Sequence, residues 1–206
     1  AGRAGIPYIR TGTNGFIFAR PEKSDFADRI AQIADRLAQT PLRNFWISLD
    51  SAVDAVHERM RGFPGVVTGI ARALPIFHRA GIYPAVNLGI NRNLGGSLTK
   101  SLSAADFSTP REYGNAVYKT YCKAFSQFYE TAIQMGFTIA NACYPMSVPD
   151  DCQSLEPVYQ ASATDRVIKF TRLEKKMIFK ALRDTIPQYR GQIRIFSPRT
   201  TLHAMV

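Results

Sequence analysis

No window of this sequence holds the 18 or more apolar residues that a membrane span needs, and the opening AGRAGIPYIRTG shows neither a basic n-region nor an apolar h-region. A soluble, cytoplasmic protein without a membrane partner is the expectation. Cysteine is scarce: Cys122, Cys143 and Cys152 are odd in number and lack CxxC spacing, which argues against a disulfide framework and against a structural zinc site. There is no P-loop and no GxGxxG, so nucleotide binding of those two kinds is not expected. Runs of like charge are missing too. The net charge is +10, yet Lys and Arg are spread over every segment, which favours acidic partners only weakly. Internal repeats and low-complexity tracts are also absent.

What is present is apolar material in a regular rhythm. With 206 residues, 46% of them hydrophobic, the chain can bury one sizeable core as a single domain. Short apolar runs alternate with longer amphipathic patterns as β-α-β-α-β-α-β-α-β, the arrangement of a parallel sheet. Strands are expected at 6–11, 44–49, 83–90, 137–143 and 192–196. Ser24 is placed to cap a helix whose stripe is Phe26, Ile30, Ile33 and Leu37. Ser51 and Asp54 have capping-box spacing before a short helix that Gly62 can end, and Val66, Ile70, Leu74 and Phe77 continue as another, with Pro75 predicting a kink or an early stop. Thr109-Pro110-Arg111-Glu112 combines a cap, a first-turn proline and a capping-box glutamate at the head of a long helix that ends at Gly136. Its aromatics, Tyr118, Tyr121, Phe125, Phe128 and Tyr129, read as core and flank. One further helix is expected from about Thr164 to Ile186. Because crossovers are right-handed, five such strands either open as a doubly wound sheet or curl into part of a barrel, and both place ligands at the strands' C-terminal ends.

The stretch from Phe45 to Asn93, FWISLDSAVDAVHERMRG followed by a helix and YPAVNLGINRN, is similar to the fourth and fifth strand region of radical S-adenosylmethionine enzymes. There a strand ends in S-x-D, a short helix carries His and Arg-Gly, and the next strand has Asn near its end. Thr13-Asn14-Gly15 resembles the turn after that family's third strand. The likeness covers roughly residues 5 to 145 and rests on the order and spacing of short motifs. It implies a partial (β/α) TIM-type barrel, truncated on its N-terminal side, because the family's CxxxCxxC and its glycine-rich segment after the second strand are missing. Ala1 as first residue, with a strand-like run within six residues, agrees with that expectation.

The resemblance implies two cofactors, S-adenosylmethionine and a [4Fe–4S] cluster, with the cluster ligands not in this chain. It also implies a reductant such as flavodoxin or ferredoxin, and a 5′-deoxyadenosyl radical that abstracts hydrogen from an unidentified substrate. Ser48 and Asp50 share a strand face and are candidates for the ribose hydroxyls or the amino group; the plain alternatives are an interior serine and a helix cap. Arg61, one turn from His57, is a candidate for a carboxylate, or else a surface arginine at a helix end, while His57 is expected to orient the loop. Asn87, Gly89 and Asn91 share a face that leaves room for adenine between two amides, although Asn at a strand end also forms turns. Asn14 reads first as a turn residue. Asn141 and Cys143 face the same pocket, ahead of the loop from Pro145 to Ala163; a buried inert thiol is the default for Cys143, and Cys152 is a weak candidate for a quenching donor or cluster ligand. Two rival readings stand beside this one. A phosphorylated ligand would sit at Gly95-Gly96-Ser97, and a basic nucleic-acid module would use segments such as KFTRLEKK.

Overall fold

The computed structural model describes residues 4–143 and 165–206. The loop from Pro145 to Ala163, the run Tyr144-Pro145-Met146-Ser147 and Cys152 lie outside the described residues. The expected alternation is present: β1 (Ile9–Thr13), α1 (Phe26–Ala38), β2 (Leu42–Ser48), α2 (Asp54–Arg61), α3 (Val66–Arg79), β3 (Ala85–Gly89), α4 (Ser97–Lys100), α5 (Pro110–Met135), β4 (Ile139–Cys143), α6 (Asp165–Ile168), α7 (Arg172–Thr185), β5 (Arg194–Ile195) and α8 (Arg199–Ala204). All four strand pairings are parallel, and the order across the sheet is β1-β2-β3-β4-β5. A doubly wound sheet reverses its strand order at a switch point; this order runs in one direction from edge to edge.

The two faces of the sheet differ sharply. Phe45 and Ile47 of β2, Val86 and Leu88 of β3, Ala140 and Ala142 of β4 and Ile195 of β5 are buried in one core with Phe26, Ile30, Ile70, Leu74, Phe77, Phe125, Phe128 and Leu182 from the helices. The alternating positions Asn44, Trp46, Ser48, Asn87, Gly89, Asn141 and Cys143 stay half-buried on the other face. Parallel sheets are ordinarily covered on both sides, so a polar face of this composition marks the side on which ligands are to be sought.

Local chemistry decides several boundaries. Thr109 Oγ1 accepts from Glu112 N–H and Glu112 accepts from Thr109 N–H, with Pro110 in the first turn and Gly136 at φ 99° closing α5, as expected. The expected box at Ser51 does not form. Val53 is the N-cap of α2, and the buried Ser51 hydroxyl donates to the carbonyls of Asn93 and Leu94 while accepting from Val53 N–H. Asp25, not Ser24, precedes α1, and makes no side-chain cap. Pro75 does not stop α3, which continues to Arg79 because Leu74 and Phe77 on either side are fully buried. The single helix expected from 164 to 186 is broken: Thr171 and Glu174 form a second capping box that starts α7 afresh.

Candidate functional site

The C-terminal ends of β2 and β3 converge on Asp50. Its amide N–H donates to His57 Nδ1 at 3.1 Å, and its carbonyl accepts from Asn91 Nδ2 at 2.7 Å. Its carboxylate accepts from Arg61 Nη2 at 2.8 Å through Oδ1, with Arg61 Nε 2.6 Å from Oδ2 as an ion-pair contact. The geometry therefore assigns Arg61 a partner inside the chain. Two residues that the sequence marks separately, eleven positions apart, are one charge pair at the rim of the polar face.

His57 is fully buried and accepts at Nδ1, which places its proton on Nε2, an atom without a hydrogen-bond partner among the described residues. Burial lowers its pKa from the ordinary 6.5, against the Asp50 charge, which raises it, and with the Arg61 charge, which lowers it further. The imidazole thus orients the Asp50 loop as a neutral acceptor. Because the folded value is depressed, this histidine contributes stability above 6.5 that is lost as pH falls through the folded value. Following each of the three histidines by NMR is expected to give His57 a midpoint below 6.5. A midpoint above that value would show that Asp50 holds a proton on the ring.

Asn91, only 2% exposed, has both amide hydrogens committed, to the carbonyls of Asp50 and Gly89 at 2.7 Å each, and its Oδ1 accepts from Asn93 N–H. It ties the two strand ends together and has no amide hydrogen left for a ligand. Asn87 differs. Its Oδ1 accepts from Asn141 Nδ2 at 2.9 Å and from the Cys143 thiol at 3.0 Å, and its own Nδ2 has no partner among the described residues. Cys143 is therefore half-buried on the polar face, in a position the default of a buried inert thiol does not describe. The hydroxyl of Ser48, a residue in register with Asn87, makes no hydrogen bond among the described residues. At Gly89, an added Cβ would have only Asp50 Oδ1 within 4 Å, at 3.9 Å, so packing does not require glycine there. Asn14 lies apart on an exposed turn, its Oδ1 accepting from Phe16 N–H, as a turn residue does.

The structure thus brings Ser48, Asp50, Arg61, Asn87, Gly89 and Asn91 together and leaves Asn14 in its turn. Gly95 and Gly96 serve α4 and its packing on α5: Gly95 N–H donates to Thr99 Oγ1 at 2.9 Å, and a Cβ on Gly95 would stand 3.0 Å from the Ala124 methyl. In KFTRLEKK, Phe170 and Glu174 turn into the interior. Sequence reasoning passed over Asn44 and Trp46, which lie on the same face as Ser48. The signal was there, because Asn44, Trp46, Ser48 and Asp50 alternate with Phe45, Ile47 and Leu49.

No family model matches the chain, and no curated protein matches it.

Proposed function

We propose that this chain is the ligand-holding wall of a partial (β/α) TIM-type barrel of the radical S-adenosylmethionine kind, holding S-adenosylmethionine at the C-terminal ends of β2 and β3 with an unidentified substrate on the same side. The observation that carries this reading is the room beside Gly89, bounded by Asp50 and flanked by groups with hydrogen-bonding capacity to spare, the Ser48 hydroxyl and the Asn87 amide hydrogens. A glycine that packing does not demand leaves space for a flat ring, Asn87 offers donors to its edge, and Ser48 offers a hydroxyl to a sugar. Strand order in one direction, with the apolar face under helices and the polar face opposite, supports a sheet that curls around a ligand-filled interior.

When bound and given one electron, S-adenosylmethionine supplies a radical for hydrogen abstraction. The two cysteines among the described residues do not fit the [4Fe–4S] cluster of such enzymes: Cys122 lies in α5 and Cys143 in β4, and the described residues contain no group of three or more His, Cys, Asp or Glu that could hold a metal. The role proposed for these residues is therefore to bind and orient the sulfonium compound, with Asp50, held by Arg61 through its carboxylate and by His57 through its amide, as the fixed rim of the site.

Equilibrium dialysis of the purified chain against S-adenosylmethionine is expected to show saturable binding, weakened by more than about tenfold in Gly89→Val, which fills the space. The same variant should melt within about 1 kcal/mol of the parent, since its side chain enters open space from a strand that suits valine. Absence of saturable binding, or a Gly89→Val chain that binds as well as the parent, would overturn the reading.

A further inference from the structure

We infer that the N-terminal half of the polar sheet face is a second binding site, for a mononucleotide whose base stacks on Trp46 and whose phosphate meets Arg10. Trp46 is the one tryptophan of the sequence, and it stands on the face opposite the hydrophobic core. Its indole lies flat across β1. Gly12 is its register partner, and a Cβ there would fall 2.2 Å from both Cε2 and Nε1 of the ring. Gly12 has an ordinary backbone conformation, so the turn geometry that usually calls for glycine does not explain it. The missing side chain lets the ring rest on the neighbouring strand as a fixed plate.

Side-chain amides with hydrogen-bonding capacity left over among the described residues surround that plate. A cavity of about 200 Å³ is bounded by Trp46, Arg10, Asn44, Asn87, Asn141 and Phe196. The Asn44 side chain makes no hydrogen bond among the described residues, Asn87 keeps both amide hydrogens, and Asn141 uses only its Nδ2, leaving its side-chain carbonyl oxygen. Side-chain amides pair with the edges of bases through just such donor and acceptor sets, and aromatic plates take a base's flat face. The volume falls below the roughly 300–1,000 Å³ of sites for drug-sized ligands, which suits one base with its sugar and phosphate at the mouth.

The charge at the mouth is positive. The Arg10 guanidinium carbon lies over the indole ring, 5.3 Å from its centroid, so a base that stacks there displaces it toward the nucleotide's own phosphate; Arg10 makes no ion pair among the described residues, and none of these brings a carboxylate to the cavity. A phosphate would give the Arg10 guanidinium the charged partner that a neutral sugar cannot. Asn44 and Asp50 are six residues apart on an extended segment, about 20 Å, so Arg10, Asn44 and Trp46 stand clear of the rim at Gly89, although Asn87 borders both places.

Trp46 also reports on the site, since all indole fluorescence of the chain comes from it. Titration with AMP, GMP, CMP and UMP is expected to quench that fluorescence saturably for at least one base, while ribose 5-phosphate leaves it unchanged. Asn44→Ala should weaken the binding about tenfold, the weight of a lost hydrogen bond in a partly desolvated site. Arg10→Ala should reduce the nucleotide's affinity to that of the free nucleoside. Gly89→Val leaves Arg10, Asn44 and Trp46 untouched and should keep the quenching saturable while S-adenosylmethionine binding is lost, so failure of that site and failure of this one are read apart. Non-saturable quenching with every nucleotide, equal quenching by ribose 5-phosphate, or unchanged affinity in both Asn44→Ala and Arg10→Ala chains that retain the parent circular dichroism would overturn the inference. So would a short single-stranded RNA binding much more tightly than any monomer, which would assign the surface to nucleic acid.

Discussion

Replacing Glu174 by leucine is expected to destabilise the protein by about 3 kcal/mol, measured as the shift in urea midpoint at pH 7. Glu174 is 3% exposed, yet its carboxylate accepts from Tyr113 Oη at 2.5 Å, from Arg92 Nη2 at 2.9 Å and from its own capping-box N–H of Thr171 at 2.6 Å. Arg92 in turn donates to the Lys169 carbonyl and lies 4.6 Å from the centroid of the Phe170 ring. One carboxylate therefore joins the loop after β3 to the start of α7 and to α5. A leucine would fill the space but leave the guanidinium and the Tyr113 hydroxyl without their acceptor, and that uncompensated polarity sets the magnitude. The value is placed at the low end for a broken buried pair because the Arg92 side chain is 25% exposed. Burial raises the Glu174 pKa, but the hydrogen bonds from Tyr113, Thr171 and Arg92 and the Arg92 charge outweigh it and hold the group below the ordinary 4.5. A depressed carboxylate contributes stability above its unfolded value and loses it as pH falls through the folded one. The gap between parent and Glu174→Gln should accordingly be widest near neutrality and shrink below pH 4.5. A gap that stays constant on acidification would show that the charge of Glu174 contributes nothing.

Gly69→Ala, a single methyl in the middle of α3, is expected to cost about 3 kcal/mol, against the roughly 1 kcal/mol that alanine usually gains over glycine inside a helix. A Cβ at Gly69 would stand 1.9 Å from the Phe18 carbonyl oxygen and 2.9 Å from its carbon. Nor can the segment from Phe16 to Pro21 move aside easily. Arg29 of α1 donates to the carbonyls of Ile17 and Ala19, Arg72 of α3 donates to that of Pro21, and Phe18 is fully buried edge-on to Phe77. The helix must shift or the segment must break these bonds. Gly191→Ala provides the contrast: nothing lies within 4 Å of its added carbon and its φ is not positive, so thermal melting should move by less than about 0.5 kcal/mol. Equal melting of the Gly69→Ala and Gly191→Ala chains would refute the close approach of α3 to the Phe18 carbonyl.

Much of the scaffold was legible because its cues are local. The Thr109 box, Pro110 and Gly136 fix both ends of α5 by contacts no more than five residues long, and the two-residue alternation through Asn44–Asp50 fixes which side chains share a face. The same kind of cue fails where a distant group competes for it. Ser51 and Asp54 have the spacing of a capping box, yet the Ser51 hydroxyl is taken by carbonyls more than forty residues away. Conversely, Thr171 and Glu174 form a real box inside what reads as one long helical pattern, so that the break between α6 and α7 goes unseen. At the rim, the pattern located Asp50, Arg61 and Asn91 but not how they are spent. The carboxylate that Arg61 holds belongs to Asp50, and both amide hydrogens of Asn91 go to backbone carbonyls, neither of which can be read from spacing. Gly69 gave no sign at all, since a glycine in an apolar helix looks like a weak point until the carbonyl it faces is known.

The strand order has a consequence for how such a chain comes to be folded. Each strand's partner is the next strand in the sequence, so every pairing closes after one crossover and none waits for a strand from the far end. Contacts of this kind carry a small loop-closure cost and favour rapid assembly. As the polypeptide leaves the ribosome, β1 and β2 can dock as soon as β2 has followed α1 out, and each later αβ unit adds to an edge already formed. Growth is vectorial, and its last increment is the weakest, because β5 contributes only Arg194 and Ile195 to the ladder. Opening should begin at that edge and run back through the sheet in the reverse of the order of synthesis.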